Sequence, residues 1–324
     1  MKILFIGGTG VISSASSNLC IEMGHDLFLL NRNQSISRPH TNAKIITADI
    51  RDVNSVKEKV SKEKFDVVVD WIAYSEEHVQ SDLELFGERI DQYIFVSSAS
   101  AYHKPPLKLP ITEDTPLHNP FWRYSQKKIN CENFLMKCFT EKNFPVTIVR
   151  PSHTYDKTRF PLYGNYTAYH RMKQNKNIIL HGDGNTIWTL TNAKDFAKGF
   201  IGLIGNSKTI GEAYHITSDE TLTWNQIAET VAKAAGLELN ITHMPAKFIS
   251  KYDVEWGSNI NGDKGYDTVF DNSKIKSMVP EFKATISYSE GVKKVIEWYS
   301  EKDNQVVNHE VDMMMDKMIE DYES

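Results

Sequence analysis

The chain has 324 residues, 40% of them hydrophobic, and a formal net charge of -5. That length holds one large α/β domain, or one plus a smaller lobe, and the mild acidity argues against a polyanion partner. The cysteines Cys20, Cys131 and Cys138 show neither metal-ligand spacing nor a disulfide framework. No window reaches membrane length and the opening apolar stretch is too short for a secretory signal, so a soluble cytoplasmic protein is expected.

Ile3 to Ile6 reads as a short strand, followed at once by Gly7, Gly8 and Gly10. A helical pattern then places Ile12, Ala15, Leu19 and Met23 on one face, with Gly24 ending it and a second apolar run at Leu27 to Leu30. Strand, glycine turn, helix, strand is the pattern of a dinucleotide-binding unit. Glycines permit the tight turn and a close backbone approach, and the helix start at Val11 and Ile12 offers free N–H groups to phosphates. The third fingerprint position holds Ser13, which would space helix and strand slightly apart.

Further strands follow. Lys44–Thr47 leads to Asp49 and a helix over Val53–Lys62, and Val67–Asp70 to a helix over Glu76–Arg89. Tyr93–Val96 ends in Ser97-Ser98, and Val146–Val149 in Arg150-Pro151. Alternation of this kind predicts a Rossmann-type, doubly wound parallel sheet, with ligands at the carboxyl ends of its strands. Pro151–Gly164 reads as an irregular active-site loop, Ile178–Gly184 as strand and turn, and Asp195–Ile204 as a helix. Ala213–Ile216 is a strand that could rejoin the sheet edge, and Thr223 caps a helix carrying Ile227, Val231 and Ala235. Pro245 to Asp271 fits a lid or substrate lobe, and Val306–Ser324 a docked amphipathic helix. The expected division is a dinucleotide domain of 1–150 plus about 190–216 and a substrate-binding lobe of about 151–189 plus 217–324.

Tyr124 and Lys128 fall four apart on a predicted helix from Phe121 to about Lys142, so they share one face. A free phenol titrates near about 10, and an adjacent ammonium can lower an anionic group's pKa by about 1 to 3. That would bring a tyrosinate within reach of neutral pH as a general base. Ser98, at a strand end, can donate to the same substrate oxygen. Without its setting, the Tyr-Lys spacing is equally an ordinary solvent-facing helix turn.

These motifs resemble the extended short-chain dehydrogenase/reductase superfamily, in its NAD-dependent epimerase/dehydratase branch of sugar-nucleotide enzymes. The similarity runs through Gly7-Gly-Thr-Gly10, Ala48-Asp49, Phe95–Tyr102, Tyr124–Lys128, Arg150-Pro151, His181–Gly184, Asp195–Ala197 and Asp271–Lys274. The resemblance implies hydride transfer between a sugar carbinol or ketone and nicotinamide C4, with Tyr124 as acid/base and Ser98 orienting the reacting oxygen. Lys128 would hold the nicotinamide ribose, Asp49 with Ile50 would meet the adenine, and Ala73 would lie beside the cofactor. It also implies a homodimer paired through the helices near Glu76–Arg89 and Arg123–Lys142.

Departures from the family pattern refine these expectations. Asn31-Arg32 replaces the usual ribose-binding aspartate at the second strand end, which favours NADP because a guanidinium forks onto a 2′-phosphate. NAD stays possible if Arg32 only stacks on the adenine edge. Ala99 and Ser100 occupy the positions of the dehydratases' Asp-Glu pair, which ranks dehydration below epimerisation or carbonyl reduction. On the substrate side, His153 stands for an Asn, Trp188 for a diphosphate-binding Arg, and Lys264 is the nearest later cation. Trp188 could stack on a base or sugar, although core packing explains it equally. The nucleotide sugar as substrate therefore rests on resemblance. A dinucleotide-ratio sensor without turnover has no need of the Ser-Tyr-Lys set. A stem-loop RNA-binding role, as in the chloroplast relatives that resemble the Asn-Arg strand end, would call for a basic surface.

Overall fold

The computed structural model describes residues 1–32, 42–87 and 89–324. Its centre is a seven-stranded sheet built from β1 (Lys2–Ile6), β2 (Asp26–Asn31), β3 (Lys44–Thr47), β4 (Val67–Asp70), β5 (Gln92–Val96), β6 (Val146–Pro151) and the edge strand Ala213–Ile216. The order is edge strand, β6, β5, β4, β1, β2, β3, and every pairing is parallel. The crossovers include α1 (Val11–Glu22), α2 (Val53–Val60), α3 (Glu76–Phe86) and α4 (Arg123–Lys142). The strand order reverses between β1 and β4, which opens a crevice at their carboxyl ends. The expected helix over Glu76–Arg89 stops at Phe86, and Glu88 lies outside the described residues.

Side chains alternate across β1, so the sheet feeds two apolar layers. Ile3 and Phe5 pack with Leu27, Leu29, Phe196 and Phe200, while Leu4 and Ile6 pack with Phe28, Val56, Val79 and Leu135. Cys131 and Cys138 belong to the second layer as buried free thiols.

Helix α1 keeps only part of the expected face: Ile12 and Leu19 pack partly buried against the core, but Met23 is 58% exposed, and the fully buried positions are Ser13, Ser14, Ser16, Ser17 and Cys20. Small side chains let α1 sit close against the helix Ala193–Ile201, where a leucine face would not fit. Three of their hydroxyls find local partners, and Ser14 Oγ is buried without one: Ser16 Oγ donates to the Ile12 carbonyl at 2.9 Å and Ser17 Oγ to the Gly8 carbonyl at 3.2 Å. Ser13 Oγ accepts the Gly10 N–H at 2.8 Å, so it turns back into the glycine turn.

Beyond the sheet, the helix Trp224–Ala235 buries Ile227, Ala228 and Val231 against Val292 and Val295 of the helix Tyr288–Trp298. The C-terminal helix His309–Glu323 docks through Met315 and Met318, with Val311, Met314 and Ile319 partly buried beside them. No described helix is long and apolar enough to cross a membrane.

Two buried histidines tie these parts together. His215 Nε2 donates to the Asp271 carbonyl at 2.8 Å, so its Nδ1 accepts from the Tyr102 hydroxyl at 3.0 Å. His181 Nε2 donates to the Lys264 carbonyl at 2.8 Å. Burial pushes both down to about 4 from 6.5. Between those values the unfolded chain binds more protons, so this stability is complete above pH 6.5 and falls as pH drops towards 4. Each histidine should contribute a slope of up to about 1.4 kcal/mol per pH unit. Urea unfolding across that window should show His215→Gln with a shallower slope than wild type; an unchanged slope would exclude His215 as a source.

Candidate active site

The glycine turn after β1 is held in conformations L side chains rarely adopt. Gly7 and Gly8 have φ of +99° and +105°, and a Cβ at Gly8 would lie 2.6 Å from Leu29 Cδ2. Gly10 is the N-cap of α1 and has no side chain to cap it, so Val11 and Ile12 present N–H groups without intrahelical acceptors. An anionic group suits that place. Around it stand the strand ends: Asn31 closes β2 with Arg32 exposed beyond it, Asp49 is exposed, and Ile50 is buried. The Asp49 carboxylate accepts the Arg51 N–H at 3.0 Å. At the end of β4, Asp70 Oδ1 accepts the N–H groups of Ile72 and Ala73 at 2.7 and 2.8 Å. That fixes the Ala73 carbonyl, which in turn takes Lys128 Nζ at 2.6 Å. A glycine cradle, an uncapped helix start and a lysine at the strand ends fit a dinucleotide.

Tyr124 sits in the first turn of α4 and Lys128 one turn later, with Nζ 5.9 Å from the Tyr124 ring centroid. Lys128 also donates to the Val96 carbonyl at 2.7 Å, and burial brings its ammonium down to about 8. Ser98 lies beside the Tyr124 hydroxyl and lowers its pKa. From there hydroxyls run inward, Ser98 Oγ to Ser100 Oγ at 2.9 Å and Ser125 Oγ to Ser100 Oγ at 2.8 Å. The expected depression of the phenol is not present here. Burial pushes the Tyr124 hydroxyl up to about 12, only partly offset by Ser98. Lys128 meanwhile turns its ammonium onto the two backbone carbonyls. In this state the phenol is a proton donor.

Behind the hydroxyls, Glu132 anchors the end of β5. Its carboxylate accepts the Ser97 hydroxyl and pairs with Arg150, Nη2 to Oε2 at 2.6 Å.

A cavity of about 630 Å³ opens in front of Tyr124. Ser98, Tyr124, His153, Arg159, Asp263 and Lys264 all line it. Trp188 does not line it: it is 1% exposed and packs in the apolar cluster with Trp224. Stacking on a base or sugar is thereby excluded in this arrangement, and its indole N–H instead donates to His153 Nδ1 at 3.0 Å. Since Nδ1 accepts, His153 keeps its proton on Nε2, and burial holds the ring well below its usual pKa, so it is neutral. Arg159 is a cation the sequence reading overlooked. It lies in the loop after the short strand His153–Tyr155, away from the positions where the family pattern places arginines. Asp263, next to Lys264, was also missed, because nothing local marks it.

Sheet order, glycine turn and the Ser98, Tyr124 and Lys128 cluster define the class, a Rossmann-type protein of the extended short-chain dehydrogenase/reductase kind. The chain belongs to the NAD dependent epimerase/dehydratase family, which matches residues 3–90 and 84–217. It is 30% identical to the chloroplast stem-loop binding protein of 41 kDa b of Arabidopsis thaliana, over 76% of this chain and 66% of that one, slightly under two thirds of its length. Solved structures share the fold. A UDP-glucose 4-epimerase with UDP-glucose from Thermotoga maritima superposes with TM-score 0.74 at 19% identity, covering 93% of this chain and 99% of the other. A dTDP-glucose 4,6-dehydratase in complex with NAD from Bacillus anthracis gives TM-score 0.74 at 17% identity, covering 94% and 98%.

Proposed function

We propose that the protein is an NAD(P)-dependent epimerase or carbonyl reductase acting on a nucleotide sugar. The observation that carries this reading is the cavity that Ser98 and Tyr124 share with the cations Arg159 and Lys264. A sugar carbinol or ketone would lie against the Tyr124 hydroxyl and Ser98, and the phosphates towards the cations. Gly7, Gly10, Val11 and Ile12 would receive the dinucleotide pyrophosphate, Asn31 and Arg32 its adenosine ribose, and Asp49, Ile50 and Ala73 its flanks. When bound, the dinucleotide supplies or accepts the hydride. Tyr124 gives its proton to the carbonyl oxygen in the reductive direction and recovers one from the carbinol in the other. Ser98 orients that oxygen and His153 Nε2–H donates to the substrate. Lys128 has three N–H donors and uses two on backbone carbonyls, which leaves one for a ribose hydroxyl.

Ala99 and Ser100 keep elimination below epimerisation or reduction, since neither supplies a carboxyl. A homodimer remains part of this proposal. The preference for NADP rests on Arg32. Arg32→Ala should weaken NADP binding on the order of 10- to 100-fold by calorimetry while leaving NAD within about twofold. Equal losses for both would reverse the preference.

A second reading, nucleic-acid binding, is favoured by the likeness to the stem-loop binding protein. Turnover of UDP- or dTDP-hexoses with NAD(P) supports the enzyme. Tight stem-loop RNA binding with no turnover of either supports the alternative.

A further inference from the structure

Residues Ile260–Lys264 form a π-helical turn, closed by the Gly265 N–H on the Ile260 carbonyl at 2.8 Å. Such wide turns cost regular hydrogen bonding and recur at functional places. This one is seated on the start of α4. A Cβ at Gly262 would lie 2.5 Å from Trp122 Cβ, so only glycine permits the approach. The Asn119 amide staples the two sides, donating to the Ser100 carbonyl at 2.7 Å and the Gly262 carbonyl at 2.6 Å. The turn is thus fixed against the Ser98–Ser100 loop and against Trp122, two residues before Tyr124. Asp263 is the next residue along.

The Asp263 carboxylate pairs with Lys104 Nζ at 3.4 Å, and the pair is one-sided. The lysine side chain is 0% exposed, whereas the aspartate side chain keeps 18% exposure and lines the cavity. A carboxylate has about four acceptor positions, and Lys104 is its ion-pair partner among the described residues. Its negative charge also reaches the Tyr124 phenol, where it opposes ionisation. Tyr124 and Asp263 line the same cavity, so a ligand that fills it meets both. A buried cation behind and a carboxylate only partly exposed, facing the cavity in front, make an acceptor for neutral hydroxyl donors. A purely structural ion pair would have no need to face the cavity.

We propose that Asp263, backed by Lys104 and presented by the Gly262 turn, binds hydroxyl groups of the substrate's sugar next to the reacting centre, and so makes the site specific for a polyhydroxylated glycosyl group. The proposal rests on the nucleotide-sugar reading above. Asp263 is accordingly a specificity residue, contributed by the C-terminal part of the chain, for a reaction whose acid/base group comes from α4.

Calorimetry with NADP⁺ or NAD⁺ present tests it, using UDP-glucose against UDP and dTDP-glucose against dTDP. Asp263→Asn strands a buried cation and could unfold the protein. The double variant Lys104→Met with Asp263→Asn removes both charges and serves as the second arm. Both should weaken whichever sugar diphosphate binds wild type on the order of 10- to 100-fold, with the bare diphosphate held within about twofold. Equal weakening of sugar diphosphate and bare diphosphate would make Asp263 structural and overturn the proposal, as would unchanged affinity for both. If neither pair binds wild type, the nucleotide-sugar reading itself fails, a result distinct from either of those.

Discussion

Tyr124→Phe should lower kcat about 10²- to 10⁴-fold while leaving dinucleotide affinity within about twofold. The substitution removes one hydroxyl and leaves the ring's packing on Trp122, at 4.9 Å between centroids, and the Lys128 hydrogen bonds to Ala73 and Val96. The phenol, held up to about 12 by burial, is protonated at neutral pH. Wild-type carbonyl reduction should therefore keep its acid form across the neutral range, with loss only as the pH climbs towards the phenol's own pKa. Stopped assays of kcat against pH, alongside calorimetry of the dinucleotide, would check both parts. Retained turnover in the phenylalanine variant would remove Tyr124 from the chemistry.

Glu132→Ala should be the most damaging single change to stability, at about 3–5 kcal/mol by urea unfolding. Arg150 is 6% exposed and Glu132 1%, and Arg150 Nε also bonds both carboxylate oxygens at 3.1 Å. Removing the carboxylate strands a buried guanidinium over the Tyr102 ring and leaves the Ser97 hydroxyl without its acceptor. Pairing Glu132→Leu with Arg150→Met should recover much of the loss, because the cost comes from one charge left unpaired. A small effect from the single variant would mean that water reaches Arg150.

Much of this was legible in the sequence wherever the signal was local. The glycine turn, the Tyr124–Lys128 spacing and the serine-tipped β5 are each set by a few consecutive residues, and the parallel sheet follows from strands alternating with helices. The buried serine face of α1 was not legible, since it depends on how near the helix Ala193–Ile201 comes. The resting state of Tyr124 depends on its burial in the folded chain, and the Ala73 and Val96 carbonyls that hold Lys128 are equally invisible to spacing along one helix. Trp188 reads as a site residue by position but is packed behind His153. Arg159 and Asp263 enter the cavity from segments far from Tyr124 in the chain, and only the folded arrangement brings them together.

The account's central claim is hydride chemistry at the Tyr124 hydroxyl, and a crystal structure of the wild-type protein with NADP⁺ and a bound UDP- or dTDP-hexose tests it most directly. The prediction is a sugar hydroxyl within about 3.2 Å of Tyr124 Oη, with the nicotinamide ring on the same side of the cavity. A dinucleotide that binds with its nicotinamide outside the cavity, or a sugar that leaves Tyr124 without contact, would contradict it.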